Sequence, residues 1–143
     1  MLTIEDQIEI NAPAAVIWDC LMDFTHYPQW NPLIPFIEGT PTPGSSLNIR
    51  LTPPGLAACN YTLKVTAVAH ATEFSWLGHL FMPGLMDGDH SFVIKHVAEG
   101  KTLFIQRETF QGILIPFLYP FLKKNMSAGF RQMNLALKKR IES

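Results

Sequence analysis

The sequence predicts an α+β fold: an antiparallel sheet of about seven strands curved around one long C-terminal α-helix, with two short helices after the first strand. Three observations lead there. Runs of period-two alternation recur from Thr3 to about Phe110, separated by Gly- and Pro-rich turns. One break interrupts them near the front, where Pro13 opens a helical stripe. From about Ile113 the apolar period changes to three and four and stays so to the end.

In chain order, Thr3–Ile10 sets Ile4, Ile8 and Ile10 against Glu5, Gln7 and Glu9, with Asp6 breaking the isoleucine face. Val16, Ile17, Cys20 and Leu21 form the helical stripe, and "FTHYPQWNP" makes a second short helix or turn stopped by Pro32. Leu33–Glu38, Ser46–Thr52, Cys59–Val68 and Glu73–Leu80 read as strands. The apolar connection "GHLFMPGLMDG" follows, and then a hairpin, "GDHSFVIKHVAEGKTLFIQRETFQG", turning at Glu99-Gly100. Leu118, Leu122, Met126, Phe130, Met133, Leu137 and Ile141 mark the long helix. Pro120 demands either a kink or a helix start close to it.

The 143 residues form one domain, 1–143, with no repeat or linker and enough chain for a true core. Hydrophobic residues are 48% and charged ones 16%, with a net charge of −1. A nucleic-acid partner would require a basic footprint that is missing. Cys20 and Cys59 lack any metal-ligand or disulfide spacing, so free thiols, no metal and no cofactor are expected. Glu5 and Asp6 stand where a signal peptide would be apolar, which points to the cytoplasm. The uncharged stretch Phe110–Leu122 is too short for a bilayer span, which takes about 20 helical residues. It is either a buried element or an exposed lip in contact with a membrane.

A curling sheet gripped by an amphipathic helix leaves space between the two at one end, so this architecture readily holds a cavity. The hairpin poses the sharper question. Its even-numbered face carries His90, Phe92, Ile94, Phe104, Gln106, Glu108 and Phe110, a mixture of oil, imidazole and acid.

Trp18, Tyr27-Pro28-x-Trp30-Asn31-Pro32, Trp76-Leu77-Gly78, Gly88-x-His90-x-Phe92 and Glu108-x-Phe110-x-Gly112, in this order along the whole chain, resemble the SRPBCC superfamily. That is the START-like, helix-grip group, which includes polyketide cyclase/dehydrase-like proteins and plant pathogenesis-related allergens. The resemblance implies that the His-x-Phe and Glu-x-Phe positions look into the cup and that the first strand lies beside the last. Asp6 is then expected beside Gln106 and Glu108, with His90 on the neighbouring strand. One of the two carboxyls is expected to keep a proton. Tyr61, Phe74, Trp76, Phe92, Phe104 and Phe110 are expected as apolar wall, with Met126 and Phe130 from the helix and Trp30 at the mouth.

Binding of a small hydrophobic or aromatic molecule is the leading expectation. The alternative is a cyclase- or dehydratase-like enzyme in which Glu108 and His90 serve as base and acid. A second alternative, prompted by Phe110–Leu122, is carriage of lipid or quinone. Each sharp role has a plain counterpart: Glu108 and His90 as cross-strand hydrogen-bond partners, Trp30 as packing between the short helices, and His79–Asp87 as a hairpin tip rather than a lid. Oligomeric state has no signature in the sequence.

Overall fold

A computed structural model describes residues 1–143. The order is β1 (Leu2–Ile10), α1 (Ala14–Met22), a 3-10 turn (Phe24–His26), α2 (Tyr27–Trp30), β2 (Phe36–Gly39), β3 (Ser46–Leu51), β4 (Cys59–Ala69), β5 (Glu73–His79), β6 (Asp87–Ala98) and β7 (Lys101–Gln111). The chain ends in α3 (Ile115–Phe121), a π-helical turn (Leu122–Met126) and α4 (Ser127–Glu142), which run on as one helical rod. The seven strands form one antiparallel sheet ordered β1-β7-β6-β5-β4-β3-β2, so the first strand does lie beside the last.

Alternation decides which face of each strand is covered. On β1 the buried residues are Leu2, Ile4, Ile8 and Ile10, with exposed residues and the half-buried Asp6 between them. On β6 and β7 the buried residues are the even-numbered His90, Phe92, Ile94, Thr102, Phe104, Gln106 and Phe110, with Ile105 buried on the other face and Phe92, Phe104 and Gln106 fully inaccessible. Cross-strand register aligns Trp76 with His90, His90 with Glu108, Phe92 with Gln106, and Gln106 with Asp6. A register shift in β4 between Val65 and Ala67 marks a bulge, a device that bends a strand and increases its twist.

The helical rod lies over this face through Met126, Phe130, Met133 and Leu137, and α4 packs chiefly on β1. Gly129 sits where the rod meets the β2 approach: a Cβ there would press on Leu33 Cδ1 at 2.8 Å. The Pro120 expectation resolves into a third form. The rod starts at Ile115 with Pro116 in its first turn, and a π-helical turn begins two residues after Pro120. Proline has no N–H to give the ladder, and a local shift to wider turns absorbs the lost bond.

Tyr27 anchors the short helices. It is fully buried and donates its hydroxyl to the Leu21 carbonyl at 2.6 Å. Burial drives its phenol far above the usual range, so it stays protonated. Asn31 then shapes the exit from α2, its Oδ1 accepting from the N–H groups of Leu33 and Ile34 at 3.0 and 2.9 Å.

Candidate functional site: a cavity with one polar end

Between β3–β7, the loop after β3 and the start of the helical rod lies a cavity of about 230 Å³. Of its 22 lining residues 16 are hydrophobic, so whatever enters is held by apolar contact and oriented by few polar groups. Ile49, Leu63 and Trp76 come from the sheet, Pro53 and Leu56 from the loop, and Leu118, Leu122 and Met126 from the rod. Ala57, Cys59, His79 and Phe121 line it and are exposed, which places the mouth among them.

The polar end is made by Glu108, His90 and Tyr61. Glu108 is nearly enclosed, and the glycine at position 88 gives it room, because a Cβ on Gly88 would collide with Glu108 Oε2. His90 Nδ1 stands 3.3 Å from Glu108 Oε1, while Nε2 stands 3.0 Å from Gln106 Oε1. The imidazole also packs on Trp76, Phe92 and Phe130, with ring centroids 4.6–5.2 Å away. Burial first, then the Cys59 thiol and the Glu108 carboxylate beside it, push the Tyr61 phenol up to about 12, so it remains a hydrogen-bond donor at neutral pH.

Of the residues expected to line a cup, Tyr61, Trp76, His90, Glu108, Phe110 and Met126 are in the cavity wall. Phe74, Phe92, Phe104 and Phe130 are not: all four are fully buried in solid core. Phe92 lies between Phe74 and Phe104, at 6.3 and 6.0 Å centroid distance, and this stack fills the half of the concave face under α4. Trp30 is also away from the cavity, its ring 5.2 Å from Tyr27, so packing between the short helices is its observed role.

Gln106 is inaccessible behind His90 and donates through Nε2 to Asn134 Oδ1 at 3.0 Å. Asp6 lies beyond it at the sheet edge, accepting from Asn134 Nδ2 at 2.8 Å and facing Arg131 Nη1 at 3.4 Å. The expected cluster of Asp6, His90, Gln106 and Glu108 is therefore a chain rather than a ring. The two carboxyls have different partners, Asn134 and Arg131 for Asp6 and His90 for Glu108.

Asn134 is the residue that the sequence reading missed. Its signal was present: it falls four residues after Phe130 and three before Leu137, a polar side chain at an inward position of the rod. The loop wall, Pro53 to Cys59, was missed as well, because no periodicity marks it. No group of three or more His, Cys, Asp or Glu converges as a metal site would need.

The tip between β5 and β6 borders the mouth through Leu80 and Met86. It is closed by Asp87, which takes the N–H of Gly84 and stands 2.7 Å from His79 Nδ1. Those two partners, the imidazole foremost, hold the Asp87 carboxyl below the ordinary range. The start of the rod is tied to this tip, Ile113 and Leu114 donating to the carbonyls of Gly84 and Leu85. Gly112 permits the approach: its φ is 138° and a Cβ there would strike the Leu85 carbonyl.

A curved seven-stranded sheet gripping a C-terminal helical rod, with a cavity between them, defines a START-like helix-grip protein. The chain belongs to the family described as polyketide cyclase / dehydrase and lipid transport, which matches residues 1–142. Similar solved structures include a START superfamily protein from Mycobacterium smegmatis, 22% identical, with a TM-score of 0.79 over 98% of this chain and 97% of that one. The Zhui aromatase/cyclase from Streptomyces sp. R1128 is 13% identical, with a TM-score of 0.79 over 99% and 93%. A norcoclaurine synthase point mutant from Thalictrum, solved with a transition-state analogue, is 14% identical, with a TM-score of 0.72 over 98% and 93%. At these identities the likeness speaks for the fold. A comparison with curated proteins finds no match.

Proposed function

We propose that the protein is a cytoplasmic receptor for a small, uncharged hydrophobic or aromatic molecule, held in the cavity with its one polar group toward Glu108, His90 and Tyr61. The observation that carries this reading is the cavity itself, with 16 of 22 lining residues hydrophobic and Glu108, His90 and the Tyr61 hydroxyl gathered at one end. No lysine or arginine lines it, so an anionic head would meet Glu108 without a counter-charge. The free thiols of Cys20 and Cys59 suit a reducing compartment. A neutral phenylnaphthylamine probe is expected to bind saturably, and Leu118→Trp, which fills the wall from a half-buried position, to weaken it at least tenfold, or about 1.4 kcal/mol. Binding that ignores Leu118→Trp would count against the cavity.

Acid–base chemistry on a bound ketone is the enzymatic form of the same reading and would fall to Glu108 and His90. Its mark is Glu108→Gln abolishing turnover of a supplied polyketone while probe binding persists; unchanged turnover would end it.

A carrier role at a bilayer rests on a separate observation. Ile113, Phe117, Tyr119 and Phe121 are exposed at the start of the rod, with Phe81 and Met82 exposed on the tip hydrogen-bonded to it. Together they form an apolar collar beside the mouth, followed directly by Lys123 and Lys124, which suit an anionic lipid surface. No helix is long and apolar enough to cross a membrane, so this contact would be peripheral. Vesicle flotation tests it.

A further inference from the structure

A line of polar contacts, hydrogen-bonded from His90 onward, runs from the cavity, through the aromatic core, to the far edge of the sheet. In order it passes Glu108, His90, Gln106, Asn134 and Asp6, and ends at Arg131. Gln106 and Asn134 are fully inaccessible, and the His90 side chain is 4% exposed. A polar row buried this deeply is costly unless every member is satisfied in the right sense, donor to acceptor.

That sense is dictated from the far end. The Asp6 carboxylate beside a guanidinium can only accept, so Asn134 must turn Nδ2 to it and Oδ1 inward. Asn134 Oδ1 can only accept, so Gln106 must offer it Nε2 and turn Oε1 to His90. Gln106 Oε1 in turn can only accept, so His90 Nε2 must carry a proton. Nδ1 is left facing Glu108 Oε1 at 3.3 Å.

We propose that Asp6, Asn134 and Gln106 are positioning residues that fix the His90 proton on Nε2 and aim Nδ1 at Glu108. The polar end of the cavity then presents a ligand with the Glu108 carboxyl and a His90 ring whose other nitrogen, Nδ1, is turned toward that carboxyl. The ligand clause rests on the cavity-binding reading; the tautomer does not.

The test is nitrogen-15 NMR of the His90 ring in the ligand-free, full-length protein, which tells a protonated ring nitrogen from a bare one. The expected result is a protonated Nε2, as neutral tautomer or as cation. A neutral ring protonated only on Nδ1 overturns the proposal. The double variant Asp6→Lys/Arg131→Glu keeps an ion pair in place but puts a donor where the acceptor was. Each amide then reverses, and the proton is expected to move from Nε2 to Nδ1. An Nε2 proton retained in the folded double variant overturns the proposal, because a merely space-filling role would leave the ring as it was. If that variant does not fold, Asn134→Leu cuts the row at its middle and is expected to give a mixture of both tautomers, whereas an unshifted ring overturns the proposal. Failure of ligand binding would leave these spectra as they are, so the two readings fail separately.

Discussion

Gly88 and Glu108 show how much of the site is decided by single atoms. The carboxylate can lie against the floor of the cavity only because position 88 has no side chain to collide with Oε2. Gly88→Ala is expected to displace Glu108 from His90, weaken probe binding severalfold and cost about 1–3 kcal/mol of stability, as overfilled sites do. Thermal unfolding and a probe titration on the same sample check it; undiminished affinity would mean that Glu108 does not orient the ligand. His90 illustrates the same economy. Each ring nitrogen has one partner, and three aromatic rings hold its plane. Charge on the inner face of the hairpin, unexplained by alternation alone, is thereby accounted for: His90, Gln106 and Glu108 each face a partner in the row, and Thr102 donates to the Ala12 carbonyl.

Elements were legible to the extent that periodicity reports burial. The strands on either side of Glu99-Gly100 follow the expected pattern from His90 to Ile94 and from Thr102 to Phe110, and α4 follows it too, because one face of each is covered there. Two features escaped it. The concave face was expected to be hollow around Phe74, Phe92 and Phe104, yet alternation records only that a side chain points inward, not whether protein or space lies opposite. Here α4 lies opposite, through Phe130 and Met133. The run Phe110–Leu122 likewise had two readings, and the structure divides it: Ile115 is buried, whereas Ile113, Phe117 and Phe121 are exposed. Phe81 stands out on the facing tip, a bulky residue 92% exposed and at φ 63°, a backbone region that non-glycine residues rarely occupy. If this collar docks on lipid, Phe117→Ser/Phe121→Ser should reduce flotation with anionic vesicles severalfold, and the wild type should stay bound in high salt. Loss of wild-type binding in salt would reduce the contact to lysine electrostatics.

At the scale of the whole molecule, one sheet serves two purposes. Under α4 its concave face is solid, with aromatic rings stacked from β5 to β7. Under α3 and the π-helical turn it is hollow, and the wall there comes from side chains with little in common except their position. The buried row joins the two halves, so the solid part fixes the chemistry that the hollow part presents. The most direct measurement is isotope-filtered NOE spectroscopy of the neutral naphthylamine probe bound to labelled protein. The expected cross-peaks run from the probe to the Met126 methyl, Leu63 and Leu122, with none to Phe104. A bound probe that shows contacts only with the exposed collar, and none with those three residues, would contradict a ligand held between sheet and rod.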